Sequence, residues 1–209
     1  MLSELYKVTQ KNAYQKTERE IITEYREILS AQKNPEKFET LYNRYYNLIF
    51  VFIYNRTTDK ALTAELVSNT FYNALLKISH YTFRGVPFSA WLFRIASNEI
   101  NQHFRKTGKQ RHILLEPDSP ELLLSEIHIE TEHSDFDFLF EALNSLKPKS
   151  LQFVELRFFE KRSFKEIAAI LGISENNAKV KTHRVVQKLK KILEKNGIDK
   201  TRLNFMLNL

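Results

Sequence analysis

Apolar side chains recur every three or four positions through most of this chain, the spacing that lines one face of a helix. In Glu18–Leu29 they fall at Ile21, Ile22, Tyr25 and Ile28, and Asn34-Pro35 then breaks the run. A second run carries Phe38, Leu41, Tyr42, Tyr45, Leu48, Ile49 and Phe52. A third begins near Asp59, with Leu62, Leu66, Thr70, Ala74, Leu75 and Ile78 on one stripe. After a loop over Tyr81–Pro87, a fourth starts near Ser89 and carries Leu92, Ile95, Ala96, Ile100 and Phe104. These four runs predict a compact helical bundle that ends near Gly108.

A different arrangement follows at Ser163–Lys191. Ser163 and Glu166 have the spacing of a capping box, in which each side chain satisfies the other residue's backbone N–H. The helix they open would bury Ile167, Ile170 and Leu171, with the small Ala168 where two helices cross closely. Gly172 can end that helix in a left-handed conformation, Ile173 can wedge between two helices, and Ser174 can cap the next. In the second helix Ala178, Thr182, Val185, Leu189 and Ile192 share one face. Cap, small residue, glycine, wedge and second cap, in that order, predict a helix-turn-helix.

Composition narrows the fold class. With four Gly and five Pro in 209 residues there is little turn chemistry for a many-stranded fold. The expectation is an all-α protein of two small helical domains. Cysteine is absent, which excludes disulfides, thiolate catalysis and Cys-ligated metals. Neither a signal-type apolar segment at the start nor an uncharged stretch of roughly 18–20 residues is found, so a soluble, cytoplasmic protein without membrane insertion is expected. A Gly-rich phosphate loop, a clustered His/carboxylate metal spacing and a nucleophile motif are all missing, and the six histidines are scattered. No cofactor and no catalytic residue are therefore assigned, and an enzyme is not expected.

Charge adds a partner class. The formal net charge of +7 suits a polyanion, either nucleic acid or an anionic membrane surface. The charge is unevenly spread: Ile113–Asp137 contains no Lys or Arg but eight Asp and Glu, together with Pro117 and Pro120. Phe138–Lys195 carries thirteen basic residues against six acidic ones. The chain thus divides into a helical domain over 1–108, an acidic linker over 109–137, a helix-turn-helix domain over 138–195 and a tail over 196–209. The tail's Leu203, Phe205, Met206, Leu207 and Leu209 are expected to fold back on the second domain.

Two stretches have the chemistry of nucleic-acid contact. Phe88–Lys106 mixes Trp91 and Phe93 with Arg94, Asn98, Asn101, Gln102, His103, Arg105 and Lys106. Rings stack on base faces while cations meet phosphates, which is what a surface for unpaired bases requires. The alternative is that Trp91 and Phe93 belong to the core and the polar residues to a solvated face. In the second helix of the helix-turn-helix, the outward positions Asn176, Asn177, Lys179, Lys181, Arg184, Gln187, Lys188 and Lys191 would meet base edges and phosphates in a major groove. Glu175 and His183 belong to the same candidate surface. Here too a solvated basic face is the alternative.

Together these blocks resemble a known family. Phe38–Arg56 with Ala64–Ile78 resembles the first part of a sigma region 2, FSAWLFRIASNEINQHFRK its promoter-melting helix, and Ala142–Leu193 a sigma region 4. The set, over roughly Glu18–Leu193, is similar to the two-domain extracytoplasmic-function (ECF) group of bacterial sigma-70 factors. The resemblance implies a promoter-specificity subunit that is a monomer when free. It implies three partners: the clamp helices of the largest subunit of core RNA polymerase, promoter DNA and an inhibitory anti-sigma factor. Polymerase contacts would fall at Glu65, Leu66, Ser68 and Asn69. The −10 element would be captured and melted by Arg84, Trp91, Arg94, Asn98, Asn101, Gln102, Arg105 and Lys106. The −35 element would meet Glu175, Asn176, Asn177, Lys179, Lys181, His183, Arg184 and Lys188. This sequence departs from the family at Ser68 and Asn69, where a glutamine and an acid, respectively, are usual. It departs again at Thr182 and Val186, where a leucine and a basic residue are usual. The competing function is a helix-turn-helix transcriptional regulator that acts without polymerase, which would need a ligand or dimerisation module at the N-terminus.

Overall fold

The computed structural model describes residues 18–108 and 136–195, all of them helix, turn or loop. The chain splits into two compact units, each with its own buried core. Most of the acidic linker and all of the C-terminal tail lie outside the described residues.

The first unit contains α1 (Glu18–Lys33), α2 (Phe38–Thr57), α3 (Lys60–Lys77) and α4 (Phe88–Thr107). The break expected at Asn34-Pro35 is a single 3-10 turn, Pro35–Lys37, whose Glu36 N–H donates to the Asn34 side chain at 3.0 Å. Thr58 closes α2 in the left-handed region (φ 56°), and Asp59 then caps α3, accepting from Ala61 N at 2.8 Å and Leu62 N at 3.1 Å. Gly108, at φ 65°, ends α4 with its N–H on Phe104 O at 3.0 Å.

Helix α2 is central and packs against α1, α3 and α4. It buries Leu41, Leu48, Ile49, Phe52 and Ile53, and Phe52 meets Phe93 of α4 edge-to-face at 4.5 Å between ring centroids. Arg56 is buried despite its charge: its guanidinium covers the Phe52 ring at 3.6 Å and donates to Phe52 O at 2.6 Å. The periodicity overreaches in places. Tyr42 of α2 and Ile21, Ile22 and Tyr25 of α1 are exposed, because α1 turns Glu24, Ile28 and Ala31 inward instead.

In the second unit, α5 (Phe136–Asn144) and α6 (Pro148–Val154) both pack against the long last helix α8 (Glu175–Lys195). Helix α5 starts at Phe136, inside the expected linker. A π-turn, Glu155–Phe159, follows α6 and leads to α7 (Phe164–Leu171). The core gathers Leu139, Ala142, Leu143, Val154, Leu156, Ile167, Ala178, Leu189 and Leu193. Within it lies a charged cluster: Arg162 is fully buried and pairs with Glu166 at 3.2 Å, and Glu155 and Glu160 are buried too. Arg162 N–H also donates to Leu156 O at 2.8 Å, so with its Glu166 pair this residue links the π-turn to the start of α7.

Candidate nucleic-acid interfaces

The helix-turn-helix forms as its caps require. Ser163 Oγ accepts from Glu166 N at 3.2 Å, and Ser163 N donates to Glu166 Oε2 at 3.0 Å, which completes the capping box. Ser163 Oγ also donates to Glu166 Oε2 at 2.8 Å. Gly172 sits at φ 68°, and Ile173 N–H reaches back to Ala168 O at 3.0 Å, closing α7 with a Schellman-type bond. Ser174 caps α8 through Asn177 N at 3.3 Å. These caps satisfy Glu166 N at the start of α7 and Asn177 N at the start of α8 from side chains within three residues.

Helix α8 separates its faces cleanly. Ala178, Thr182, Val185, Val186, Leu189 and Leu193 are buried, and Thr182 Oγ1 donates to Ala178 O at 2.9 Å. Ile192, expected in this stripe, is only half-buried and Leu193 replaces it. Glu175, Asn176, Asn177, Lys179, Lys181, His183, Arg184 and Lys188 are all exposed. At about 100° per residue, Asn176, Asn177, His183, Arg184 and Gln187 lie opposite the buried stripe, and Lys179 and Lys181 stand on its two edges. That layout puts base-edge donors and acceptors in the middle and cations where the flanking phosphates would run. Two of the departures from the family pattern lose their bearing on DNA here. Thr182 and Val186 are core residues, 3% and 4% exposed, so they change packing and leave the outer face alone.

Helix α4 resolves the two alternatives for its aromatic residues. Phe93 is fully buried against Phe52, whereas Trp91 is half-exposed. Arg94, Asn98, Asn101, Gln102, Arg105 and Lys106 are all exposed, and with Trp91 they fall within an arc of about 140°. Trp91 is held by Tyr81 (5.1 Å) and Phe88 (5.2 Å), which brace it without covering it. Tyr81 anchors the preceding loop: Gln32 Nε2 donates to its carbonyl at 2.8 Å and to Ile78 O at 3.0 Å. Burial, with Glu24 nearby, pushes the Tyr81 phenol up to about 12, so it is neutral and serves as a packing ring. Arg84 is exposed in that loop, next to the exposed Phe83.

On α3, Glu65 and Ser68 are exposed and Asn69 half-exposed. Leu66, by contrast with these neighbours, is 3% exposed and faces inward with Val67 and Thr70. Sequence reasoning missed Tyr72 and Leu76, which continue the Glu65–Ser68 stripe at helical spacing and are 62% and 58% exposed. Large apolar side chains at i+4 and i+8 from a polar contact position were the available signal. Val180, exposed on α8, was missed in the same way.

These surfaces belong to two helical units, one with a braced aromatic-basic helix and the other with a helix-turn-helix. The family model for sigma-70 region 2 matches residues 41–110, and that for sigma-70 region 4 matches 142–191. The ECF RNA polymerase sigma factor BldN of Streptomyces coelicolor is 32% identical over 76% of this chain, and the match spans 61% of its own length. The RNA polymerase sigma factor YlaC of Bacillus subtilis is 29% identical over 78% of this chain and 95% of its own. Among solved structures, CnrH in complex with the cytosolic domain of CnrY has a TM-score of 0.53 at 21% identity, covering 82% of this chain and 97% of that one. The sigma factor RpoE bound to the anti-sigma factor NepR from Bartonella quintana has a TM-score of 0.51 at 21% identity, covering 76% and 98%. These two structures share the fold. The chain belongs to the sigma-70 family, in its ECF group.

Proposed function

We infer that this chain is the promoter-specificity subunit that directs RNA polymerase to its start sites through two separate grips on DNA. The upstream grip is the outer face of α8, with Asn176, Asn177, His183 and Arg184 toward base edges and Lys179, Lys181 and Lys188 toward phosphates. The downstream grip is Arg84 with the α4 face of Trp91, Arg94, Asn98, Asn101, Gln102, Arg105 and Lys106. There, bases freed from the duplex stack on the braced indole and their phosphates meet the arginines. Stacking worth about 1–3 kcal/mol per base offsets the cost of unpairing, so melting needs no catalytic chemistry and no cofactor from this chain.

One observation supports this above the rest. The aromatic-basic face of α4 and the helix-turn-helix occur in one chain, in units matched by sigma regions 2 and 4. A regulator without polymerase has no use for the first. Core polymerase would be held on the α3 face of Glu65, Ser68 and Asn69, continued by Tyr72 and Leu76, against the clamp helices. Two exposed apolar side chains there supply contact energy at the positions following the departures Ser68 and Asn69. An inhibitory anti-sigma factor is a further expected partner, supported by the NepR-bound relative in fold.

The test is co-elution of the purified chain with core RNA polymerase on gel filtration. Stoichiometric co-elution is expected. A chain that binds promoter DNA but leaves core polymerase alone would be the helix-turn-helix regulator instead.

A further inference from the structure

Among the side chains of α8, Val180 is the one large apolar group that is exposed, at 38%. At about 100° per residue it stands almost diametrically opposite the buried stripe of Ala178, Thr182, Val185 and Leu189. Asn176 and Asn177 lie one turn before it, and His183 and Arg184 one turn after. Lys179 and Lys181 flank it on the two edges. An isolated exposed apolar residue is ordinary on a protein surface. What sets Val180 apart is its place at the middle of a face whose other members donate or accept hydrogen bonds or carry charge. A β-branched residue there lowers helix propensity slightly and contributes nothing to the core.

Base edges in a major groove offer hydrogen-bonding atoms and one apolar group, the 5-methyl of thymine. Resting on the promoter-binding role given above, we propose that Val180 reads a thymine methyl in the upstream promoter element. The two valine methyls and the thymine methyl shed water together, between the polar contacts of Asn176 and Asn177 on one side and Arg184 on the other. Hydrogen bonding plays no part, so recognition at this position is a preference among bases and not an absolute requirement. A cytosine in place of that thymine would set an amino donor against valine and leave it without a partner.

Replacing thymine by deoxyuridine deletes that methyl and keeps every hydrogen bond of the pair. The experiment measures binding of the holoenzyme to a promoter it uses, with each upstream thymine replaced in turn. At one position the wild type should lose about three- to fourfold in affinity, the value of one buried methyl. The Val180→Ala holoenzyme should show almost no such loss there, whereas Val180→Thr, which retains one methyl, should keep most of it. Equal losses in wild type and Val180→Ala at every thymine would overturn the assignment, as would an upstream element with no methyl-sensitive position. Arg184→Ala separates the two levels. If it loses affinity while the methyl scan is flat, only the Val180 contact fails. If it binds as wild type does, α8 is off the DNA and the promoter role of this helix fails too.

Discussion

Lys179 and Lys181 give the sharpest quantitative consequence of the α8 geometry. They are exposed on opposite edges of the outer face, about 160° apart, where the two phosphate backbones bordering a major groove would pass. Each phosphate neutralised by a lysine adds about 0.9 to the slope of log affinity against log salt. The Lys179→Ala/Lys181→Ala variant should therefore have a slope about 1.8 units shallower than wild type. From 50 to 200 mM salt, wild type should lose about twelvefold more affinity than the variant does. Folding should be untouched, since both side chains are exposed and alanine is the better helix former. Fluorescence anisotropy of holoenzyme on a labelled promoter, run at several salt concentrations, reads the slope directly. Thermal unfolding of the two proteins should superimpose within about 2–4 °C, which roughly ±0.5 kcal/mol allows in a unit of this size. Parallel salt lines would refute the placement, even if the variant bound more weakly at every salt.

Other consequences bear on different parts of the molecule. Trp91→Ala and Asn98→Ala should each slow open-complex formation on duplex promoters about tenfold, and much less on templates melted in advance; abortive-initiation assays on both templates check this. Tyr72→Ala with Leu76→Ala should weaken core-polymerase binding about tenfold or more while the chain's own unfolding stays unchanged, as titration of core by the labelled chain would reveal. Glu166→Ala removes the partner of a buried arginine and half of a capping box, so the second unit should lose about 2–3 kcal/mol, seen in its urea midpoint, with Glu166→Gln restoring part. The Tyr81 phenol, raised to about 12 from an ordinary 10, binds its proton more tightly folded than unfolded. Its contribution to stability is complete below pH 10 and is lost as pH rises toward 12. Tyr81→Phe should abolish that slope in an unfolding series over this range.

Much of the helical layout could be read from the chain because the caps are local. Asp59, Ser163 with Glu166, Gly172 and Ser174 each act within four residues, so their spacing alone predicts where helices start and stop. The basic faces of α4 and α8 were legible for a related reason: a helix of known phase places its polar residues without reference to anything else. What was not legible depends on partners far along the chain. Arg56, Arg162, Glu155 and Glu160 carry the composition of a surface, and only the packed interior supplies what matches them. Leu66 is adjacent to Glu65 in a contact motif, yet one step along a helix turns a side chain by about 100° and puts it in the core. Val186 was conspicuous as a missing basic residue, although its neighbour Val185 shares the same buried stripe. The π-turn at Glu155–Phe159 has no marker of its own in the sequence.

The central claim is that one chain both binds polymerase and selects the promoter. Run-off transcription with purified core polymerase and this chain, on promoter fragments from the host genome, tests it most directly. Transcripts should start at fixed positions only when the chain is added, and should fall about tenfold with Trp91→Ala and weaken with Arg184→Ala on duplex templates. Core polymerase that yields the same transcripts with and without the chain would contradict the claim.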